Sequence, residues 1–271
     1  MLMIKRAGLT YEIYLSTLLV MKKTILLFVV LFVSSSYAVI PISYYSEKIL
    51  SSTLEDEELK EELFLTLSST QRSYSYREAR VLLFNQIDLE FTGKEYFLED
   101  VYCLKKYTRG ASRPDQELPD HNIINTEHTW PQSKFSTQFS KNTQKTDLHH
   151  LFPTFSRINS ERGNLPFADV SDERELFCDE SRLGQPIAVG VGSYFEPPID
   201  HKGNVARAMF YFSVRYRLPI DAVQEYYLRK WHQEDQVDEE EKMRNDRIFI
   251  HQKNRNPFID YPHLVDRIGD F

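Results

Sequence analysis

Three neighbouring segments have the sequences NTEHTWPQSKF (125–135), KTDLHHLFPT (145–154) and RINSERGNLPF (157–167). They bring an acidic residue beside a histidine, two adjacent histidines and an asparagine into about forty residues of the chain. These are the side chains needed to hold one hard cation and to activate one water molecule. The three segments therefore predict a metal-dependent hydrolytic site, and no other part of the sequence concentrates polar chemistry in this way.

The composition is that of a globular protein with one sizeable core. The chain has 271 residues, of which 41% are hydrophobic and 27% are charged, so a single domain is expected. Its net charge of -7 does not favour a polyanionic ligand. Between Val101 and Val170, however, nine Lys and Arg residues stand against seven acids, so the predicted site lies in the less acidic part of the chain.

Residues 21–38 have the pattern of a secretory signal peptide. Two lysines precede the apolar run TILLFVVLFV at 24–33, and small residues stand before the expected cleavage after Ala38. The apolar run is too short to persist as a membrane anchor. Residues 1–20 have no role ahead of such a signal, so translation is expected to begin at Met21 and residues 1–20 not to be translated.

The mature part, residues 39–271, is expected to be one exported domain. It contains the only two cysteines, Cys103 and Cys178. An oxidising compartment permits a disulfide between them, but the spacing alone does not decide between a disulfide and two free thiols. The spacing does not resemble a zinc knuckle.

Hydrophobic periodicity and end signals predict an α+β fold that is mostly helical. Asn204 and Asp221 are candidate N-caps of two C-terminal helices. Short strands are expected within 95–104 and at 123–130, the second ended by Pro131. Helices are expected at 43–70, 75–87, around 154–162, 204–217, 221–233 and 238–252.

Hydrolysis of a phosphodiester would explain the residue types in the three segments. The reaction needs a nucleophilic water and neutralisation of the charge that grows on the phosphoryl oxygens. His128 is the candidate base because a histidine is largely neutral near pH 7 and can accept a proton. Glu127 and Asn159 offer the hard oxygen ligands that suit Mg²⁺. Neighbouring strand residues point to opposite faces, so Glu127 and His128 can share a site only where the strand twists or ends.

The motifs EHTWP, DLHHLFP and INSERGNLPF resemble the endonuclease I family of secreted or periplasmic nucleases, which belongs to the His-Me finger (ββα-metal) superfamily. The resemblance continues through FEPP at 195–198, KGNVARAMFYFSVRY at 202–216 and RNDRIFIHQKNRNPFIDYP at 244–262. It implies a ββα-metal core surrounded by helices. It also implies an enzyme that cuts DNA, and often RNA, without sequence preference and leaves 5′-phosphates. A monomer is expected, and no stable membrane association, since no further apolar stretch reaches membrane-spanning length.

Site roles follow from this resemblance residue by residue. His128 corresponds to the general base, and Glu127 and Asn159 correspond to ligands of a single Mg²⁺, which Ca²⁺ or Mn²⁺ would replace. Supporting or substrate-contacting roles fall to Asp147, His149, His150, Arg162 and Asn164.

Two features depart from the family pattern. Some members carry an arginine between the first two motifs that helps the leaving group, whereas this interval offers only Lys141 and Lys145. The leaving-group role therefore stays unassigned. The acidic net charge also predicts weak or salt-sensitive binding of nucleic acid.

Two other functions remain open at this point. A secreted zinc-binding hydrolase would use the histidines with Glu127, although their spacing is not HExxH. A non-catalytic binding protein would instead expose the aromatic residues of its C-terminal helices, which more often form a core. These residues are Tyr211, Phe212, Tyr216, Tyr226, Tyr227 and Trp231. His128 is expected to be exposed, so that its replacement by alanine would spare the fold.

Overall fold

A computed structural model of the protein describes residues 44–51, 53–171 and 174–271. These residues lie in one unit, Ile40–Phe271. The expected signal peptide and the segment 1–20 fall outside the described residues. Of the helices that the structure describes, none has both the length and the apolar composition required to cross a lipid bilayer.

Helices make up much of the described chain, and the cap predicted at Asp221 is confirmed. Asp221 accepts hydrogen bonds from the backbone amides of Val223 and Gln224, and Asp238 accepts one from Glu241. The cap predicted at Asn204 is wrong, because the helix already begins two residues earlier. The helices are α1 Glu47–Leu50, α2 Asp56–Thr70, α3 Tyr76–Leu82, α4 Lys141–Lys145, α5 Ser156–Arg162, α6 Lys202–Tyr216, α7 Ala222–Glu234, α8 Glu239–Gln252 and α9 Pro257–Asp260.

The long helix predicted over 43–70 is divided into α1 and α2. At the division the Ser51 hydroxyl bonds to the Lys48 carbonyl and to the Thr53 hydroxyl, which gives the backbone an alternative to helical bonding. Arg267 donates hydrogen bonds to the carbonyls of Ile49, Ser51 and Leu54. The carbonyl groups freed by the division are therefore satisfied by one distant side chain.

The helix predicted over 75–87 is confirmed as α3, which continues through a π-helical turn at Leu83–Ile87. Ser75 forms a capping box with Glu78 at its start. Short 3-10 turns occur at Gln132–Lys134, Leu148–His150, Ile199–His201 and Pro262–Arg267.

All of the described strand pairs named here are antiparallel. Strands β1 (Glu90–Phe91), β2 (Tyr96–Glu99) and β3 (Lys106–Gly110) form one sheet in that order, β4 (Ile124–His128) pairs with β5 (Leu151–Phe155), and β6 (Arg182–Gly184) pairs with β7 (Tyr194–Glu196). The fold is therefore α+β.

Strand β5 was not predicted from the sequence. The strand is five residues long and contains Pro153 and the polar Thr154, and so short a segment with a proline carries little strand signal. Pro153 has no amide hydrogen to donate, but its carbonyl accepts a hydrogen bond from the amide of Val101. Helix α5 begins directly after β5 and packs against both β4 and β5.

Helix α6 forms the centre of the main core. All of its residues except Lys202 and Asn204 are buried, and it packs against α2, α7 and the turn at Leu148–His150. A second, smaller core forms around α3, with Ile124 of β4 and Leu151 of β5 as members. The β4–β5 hairpin is thus held between two apolar clusters, which fixes the end of the hairpin where the predicted site residues lie.

Cys103 and Cys178 form a disulfide across a sequence separation of 75 residues. The bond links the connection between β2 and β3 to the segment that precedes β6. The Ser181 hydroxyl donates to the carbonyl of Tyr102 at 2.7 Å, so the same segment is also anchored by a hydrogen bond.

Candidate active site

The end of the β4–β5 hairpin and helix α5 enclose a cleft of about 270 Å³. Glu127 and His128 are the last two residues of β4 and lie opposite Phe152 and Leu151 of β5. Because β4 ends at His128, consecutive side chains can both reach this cleft. It is lined by Thr126, Glu127, His128, Pro131, Gln132, Ser133, Asn159, Arg162, Gly163 and Asn164.

Glu127 is a buried carboxylate held from two sides. The Tyr102 hydroxyl donates to its Oε1 at 2.8 Å, and Nη1 of Arg162 lies 3.0 Å from the same oxygen. Burial raises the pKa of Glu127, while the charge of Arg162 and the bond from Tyr102 act to lower it. Since both contacts converge on Oε1, they fix the direction of the carboxylate without occupying all of its lone pairs.

His128 has a defined tautomer. Its Nε2 lies 3.1 Å from the carbonyl oxygen of Lys145, and because a carbonyl can only accept, Nε2 carries the hydrogen. In the neutral ring Nδ1 is then the proton acceptor. The Nε2 of Gln132, another cleft residue, lies 3.4 Å from this nitrogen.

The expectation that His128 is exposed is wrong. Its side chain packs among the rings of Tyr76, Phe135 and His150, and only 7% of the residue is accessible. Burial, helped by the neighbouring His150, lowers the pKa of His128 from 6.5 to about 3. The ring is therefore neutral at physiological pH, as a proton acceptor must be, but it also contributes to packing.

The side-chain amide nitrogen of Asn159 is bonded to the protein, which leaves the amide oxygen for a ligand. It lies on α5, and its Nδ2 donates to Asn125 Oδ1 at 2.6 Å and to the Thr126 carbonyl at 3.3 Å. Both amide hydrogens are thereby directed at β4. The side-chain oxygen is the atom left to contact a ligand in the cleft.

Arg162 and Asn164 have different surroundings. Arg162 is 1% exposed, donates to the carbonyls of His128 and Thr129 and pairs with Glu127, so these contacts fasten the end of β4. Asn164 is exposed at the rim of the cleft, and its Nδ2 lies 3.4 Å from Ser133 Oγ.

Asp147 lies behind the cleft and not in it. Its buried carboxylate accepts hydrogen bonds from four side chains and from the amide of His149. Burial acts to raise the pKa of Asp147, but the neighbouring histidines and these hydrogen bonds lower it overall. The four side-chain donors are Gln71, Tyr211, Tyr216 and Gln252. Asp147 therefore ties the second sequence motif to α6 and α8.

The two adjacent histidines also bond to the protein. His149 Nε2 lies 3.2 Å from the carbonyl oxygen of Asn254, and His150 Nε2 lies 2.8 Å from that of Gln144. Burial lowers the pKa of each ring to about 4. His150 packs against His128 with 5.4 Å between ring centroids, so it supports the candidate base, whereas His149 lies against Tyr211.

Neither alternative function gains support from this arrangement. Among the described residues, one group of three His, Cys, Asp or Glu side chains lies close enough together to hold a metal. It consists of Cys103, Cys178 and Glu180, and its two cysteines form the disulfide. Of the six aromatic residues that a binding protein would expose, only Tyr226 is exposed, at 49%. The other five are in the core.

The profile of the endonuclease I family matches residues 55–263, which is most of the chain and includes every residue of the cleft. The chain belongs to the endonuclease I family. The resemblance inferred from its three motifs is thereby confirmed.

Relatives in this family are named as nucleases. An extracellular ribonuclease of Bacillus subtilis (strain 168) is 34% identical over 168 residues, 53% of this chain and 53% of the relative. An extracellular deoxyribonuclease of Aeromonas hydrophila is 26% identical over 207 residues, 68% of this chain and 83% of the relative. A periplasmic deoxyribonuclease of the same organism is 30% identical over 133 residues, 46% of this chain and 51% of the relative. The chain spans about half the length of the Bacillus relatives it matches.

Four further groups bear on the site of this endonuclease I family member, and the sequence reasoning missed them. Tyr102, Gln132 and the carbonyls of Gln144 and Lys145 contact Glu127, His128 or His150. Gln132 follows the EHTWP motif directly and could have been found from that proximity. Tyr102 reaches Glu127 only through the tertiary fold, and a backbone carbonyl leaves no residue-specific signal.

Proposed function

We propose that this chain is an exported, metal-dependent endonuclease that hydrolyses phosphodiester bonds without sequence preference in DNA, with RNA as a further candidate substrate. The observation that carries the proposal is that Glu127, His128 and Asn159 line one cleft. The names of the relatives support nucleic acid as the substrate, and they include both ribonucleases and deoxyribonucleases.

The residues of the cleft fit a hard divalent cation such as Mg²⁺. Glu127 and Asn159 would hold it through a carboxylate and an amide oxygen, the ligand types that Mg²⁺ prefers. The fit rests on Asn159, whose amide hydrogens are both engaged by β4, and on Glu127, whose carboxylate lines the cleft and takes both side-chain contacts on Oε1. A bound Mg²⁺ would supply positive charge to the phosphoryl oxygens.

His128 would act as the general base. Its Nδ1 takes a proton from the attacking water, while Nε2 stays bonded to the Lys145 carbonyl and fixes the ring. The water oxygen forms a bond to phosphorus, and the bond from phosphorus to the 3′ oxygen breaks. The departing 3′ oxygen takes a proton from solvent, so the products carry a 5′-phosphate and a 3′-hydroxyl.

Export is part of the proposal. It is supported by the lysines and the apolar run within residues 21–38 and by relatives named as extracellular or periplasmic. The disulfide between Cys103 and Cys178 also fits an oxidising compartment.

Digestion of plasmid DNA and of total RNA by the purified protein, with Mg²⁺ or with EDTA, tests this function. We expect cutting with Mg²⁺ and none with EDTA. His128→Ala and Glu127→Gln should each lower kcat by about 10² to 10⁴-fold, because each removes a group that acts in the transition state.

The matched control is Asn122→Ala, which changes an exposed polar residue just before β4. It should keep wild-type activity. Melting temperatures must be compared in parallel, because the buried ring of His128 contributes to packing. Cleavage that persists in EDTA would contradict the metal role, and cleavage by a folded His128→Ala protein would contradict the base.

A further inference from the structure

Beside the candidate base lies an aromatic ring over which two cationic side chains pack. The ring of Tyr76, in the first turn of α3, is 6.0 Å from that of His128 between centroids. The Nζ of Lys145 lies 4.0 Å from the centroid of Tyr76, and the guanidinium carbon of Arg80 lies 5.7 Å from it. We call Tyr76, Arg80 and Lys145 the Tyr76 platform.

The platform is held rigidly against the site. Asn142 Nδ2 donates to the carbonyl of Tyr74 at 2.8 Å, and the Ser73 hydroxyl donates to the side-chain hydroxyl of Thr143 at 3.1 Å. These bonds join the segment before α3 to α4. Since the carbonyl of Lys145 at the end of α4 also holds His128, the same residue connects the platform to the base.

Arg80 has an incomplete set of partners. Its Nε is buried and has no hydrogen-bond partner, although buried donors are nearly always satisfied. The ion pairs formed among the described residues involve neither Arg80 nor Lys145. All three platform residues are half-buried.

The charge around the platform contrasts with that of the whole chain. Residues 71–87 and 129–146 contain six Lys and Arg and one acid, Glu78. Glu78 is engaged in the capping box of α3. These two segments, which contain the platform residues, therefore carry more cations than acids in a protein whose net charge is -7.

We propose that the Tyr76 platform binds the phosphate of the nucleic-acid backbone next to the one that is cut. The inference rests on the proposed nuclease function. Two cations without carboxylate partners attract a polyanion, and a guanidinium offers paired donors to phosphate oxygens. The aromatic ring keeps both side chains ordered before the substrate arrives. The platform would thereby fix the register of the strand relative to His128.

Binding of an uncut, fluorescently labelled DNA duplex in EDTA, at several salt concentrations, tests the platform separately from catalysis. Arg80→Gln should raise Kd roughly fivefold and lower the slope of log Kd against log salt by about 0.9. Arg80→Lys should restore most of the slope. In cleavage assays Arg80→Gln should raise KM and leave kcat nearly unchanged, because the contact is the same before and during the reaction.

The control is Lys94→Gln, which removes one exposed charge from the turn between β1 and β2. It should leave the salt slope at the wild-type value. If Arg80→Gln matches Lys94→Gln in Kd and slope, the platform does not bind phosphate. Arg80→Gln also removes the contact of the guanidinium with the ring of Tyr76, so melting temperatures are compared in parallel; a merely structural role predicts a lower melting temperature with an unchanged slope. A wild-type protein that binds but never cuts would refute the nuclease proposal and leave the platform supported.

Discussion

At the scale of single residues, the carboxylate of Glu127 depends on a tyrosine that lies far from it in the sequence. The Tyr102 hydroxyl and Arg162 both contact Oε1, so they fix the orientation of the carboxylate, which lines the cleft. Side chains that hold a metal ligand commonly affect metal affinity nearly as much as the ligands do.

We expect Tyr102→Phe to raise the Mg²⁺ concentration for half-maximal activity by about 10- to 100-fold. It should also lower the free energy of unfolding by about 1–3 kcal/mol, because a buried hydrogen bond to a charged group is lost. The measurement is a titration of cleavage against Mg²⁺, with urea unfolding in parallel.

Tyr45→Phe provides the matched control. Tyr45 is also buried and donates to a carboxylate, that of Asp260, at 2.7 Å, but neither residue lines the cleft. A similar loss of stability without a change in Mg²⁺ requirement is expected. An equal change of the Mg²⁺ requirement in both variants would show that Tyr102 acts only through the stability of the fold.

At the scale of elements, two connections position the site residues. Helix α4 supplies two carbonyls, of Gln144 and Lys145, that accept hydrogen bonds from His150 and His128. The connection between β2 and β3 supplies Tyr102 and is attached to the segment before β6 by the disulfide. Both elements lie outside strands β4 and β5, and each positions one of the two candidate residues, His128 or Glu127, at the end of β4.

Removal of the disulfide by Cys103→Ser together with Cys178→Ser should lower the free energy of unfolding by about 2–5 kcal/mol. The bond closes a loop of 75 residues, and its loss increases the conformational freedom of the unfolded chain. Urea unfolding of both proteins measures the difference.

A reducing agent supplies the control for the disulfide. It should destabilise the wild type and have no effect on the double variant. Equal stability of the two oxidised proteins would refute a stabilising role for the bond.

At the scale of the whole molecule, buried neutral histidines make stability depend on pH. Burial lowers the pKa of His149 and His150 to about 4 and that of His201 to about 3. The unfolded chain, with histidine pKa values near 6.5, therefore takes up protons first as the pH falls. The stability that these buried neutral histidines contribute is fully present above about pH 6.5. It is lost as the pH falls from there towards their pKa values in the folded protein.

We expect the free energy of unfolding to be roughly 2–6 kcal/mol lower at about pH 5 than at about pH 7, since each histidine contributes about 1.4 kcal/mol per pH unit. The raised pKa values of Asp100, Glu127 and Glu241, which burial causes, act in the opposite direction and limit the loss. Urea unfolding at the two pH values measures it.

His201→Leu should reduce the decrease in the free energy of unfolding between the two pH values by about 2 kcal/mol. The variant lacks one histidine that binds a proton in the unfolded chain but not in the folded protein. His121→Leu, at an exposed position, should leave the pH dependence unchanged. Stability that is equal or greater at the lower pH would contradict the assignment of these histidines as buried and neutral.

The sequence by itself determined the family, the α+β class, several helices and the identity of the candidate catalytic and metal-binding residues. These depend on local signals: the cap at Asp221, the helical spacing of apolar residues, and three motifs with a fixed order of polar side chains. Local signals are sufficient there because capping and periodic burial act over a few residues.

Only the tertiary structure decided how these residues are oriented and buried. Strand β5, the burial of His128, the contact of Tyr102 with Glu127 and the contact of Lys145 with Tyr76 all arise from segments brought together over long sequence separations. The physical reason is that burial and hydrogen-bond direction are properties of packing, which is set by the two apolar cores around the hairpin and not by the sequence of the hairpin alone.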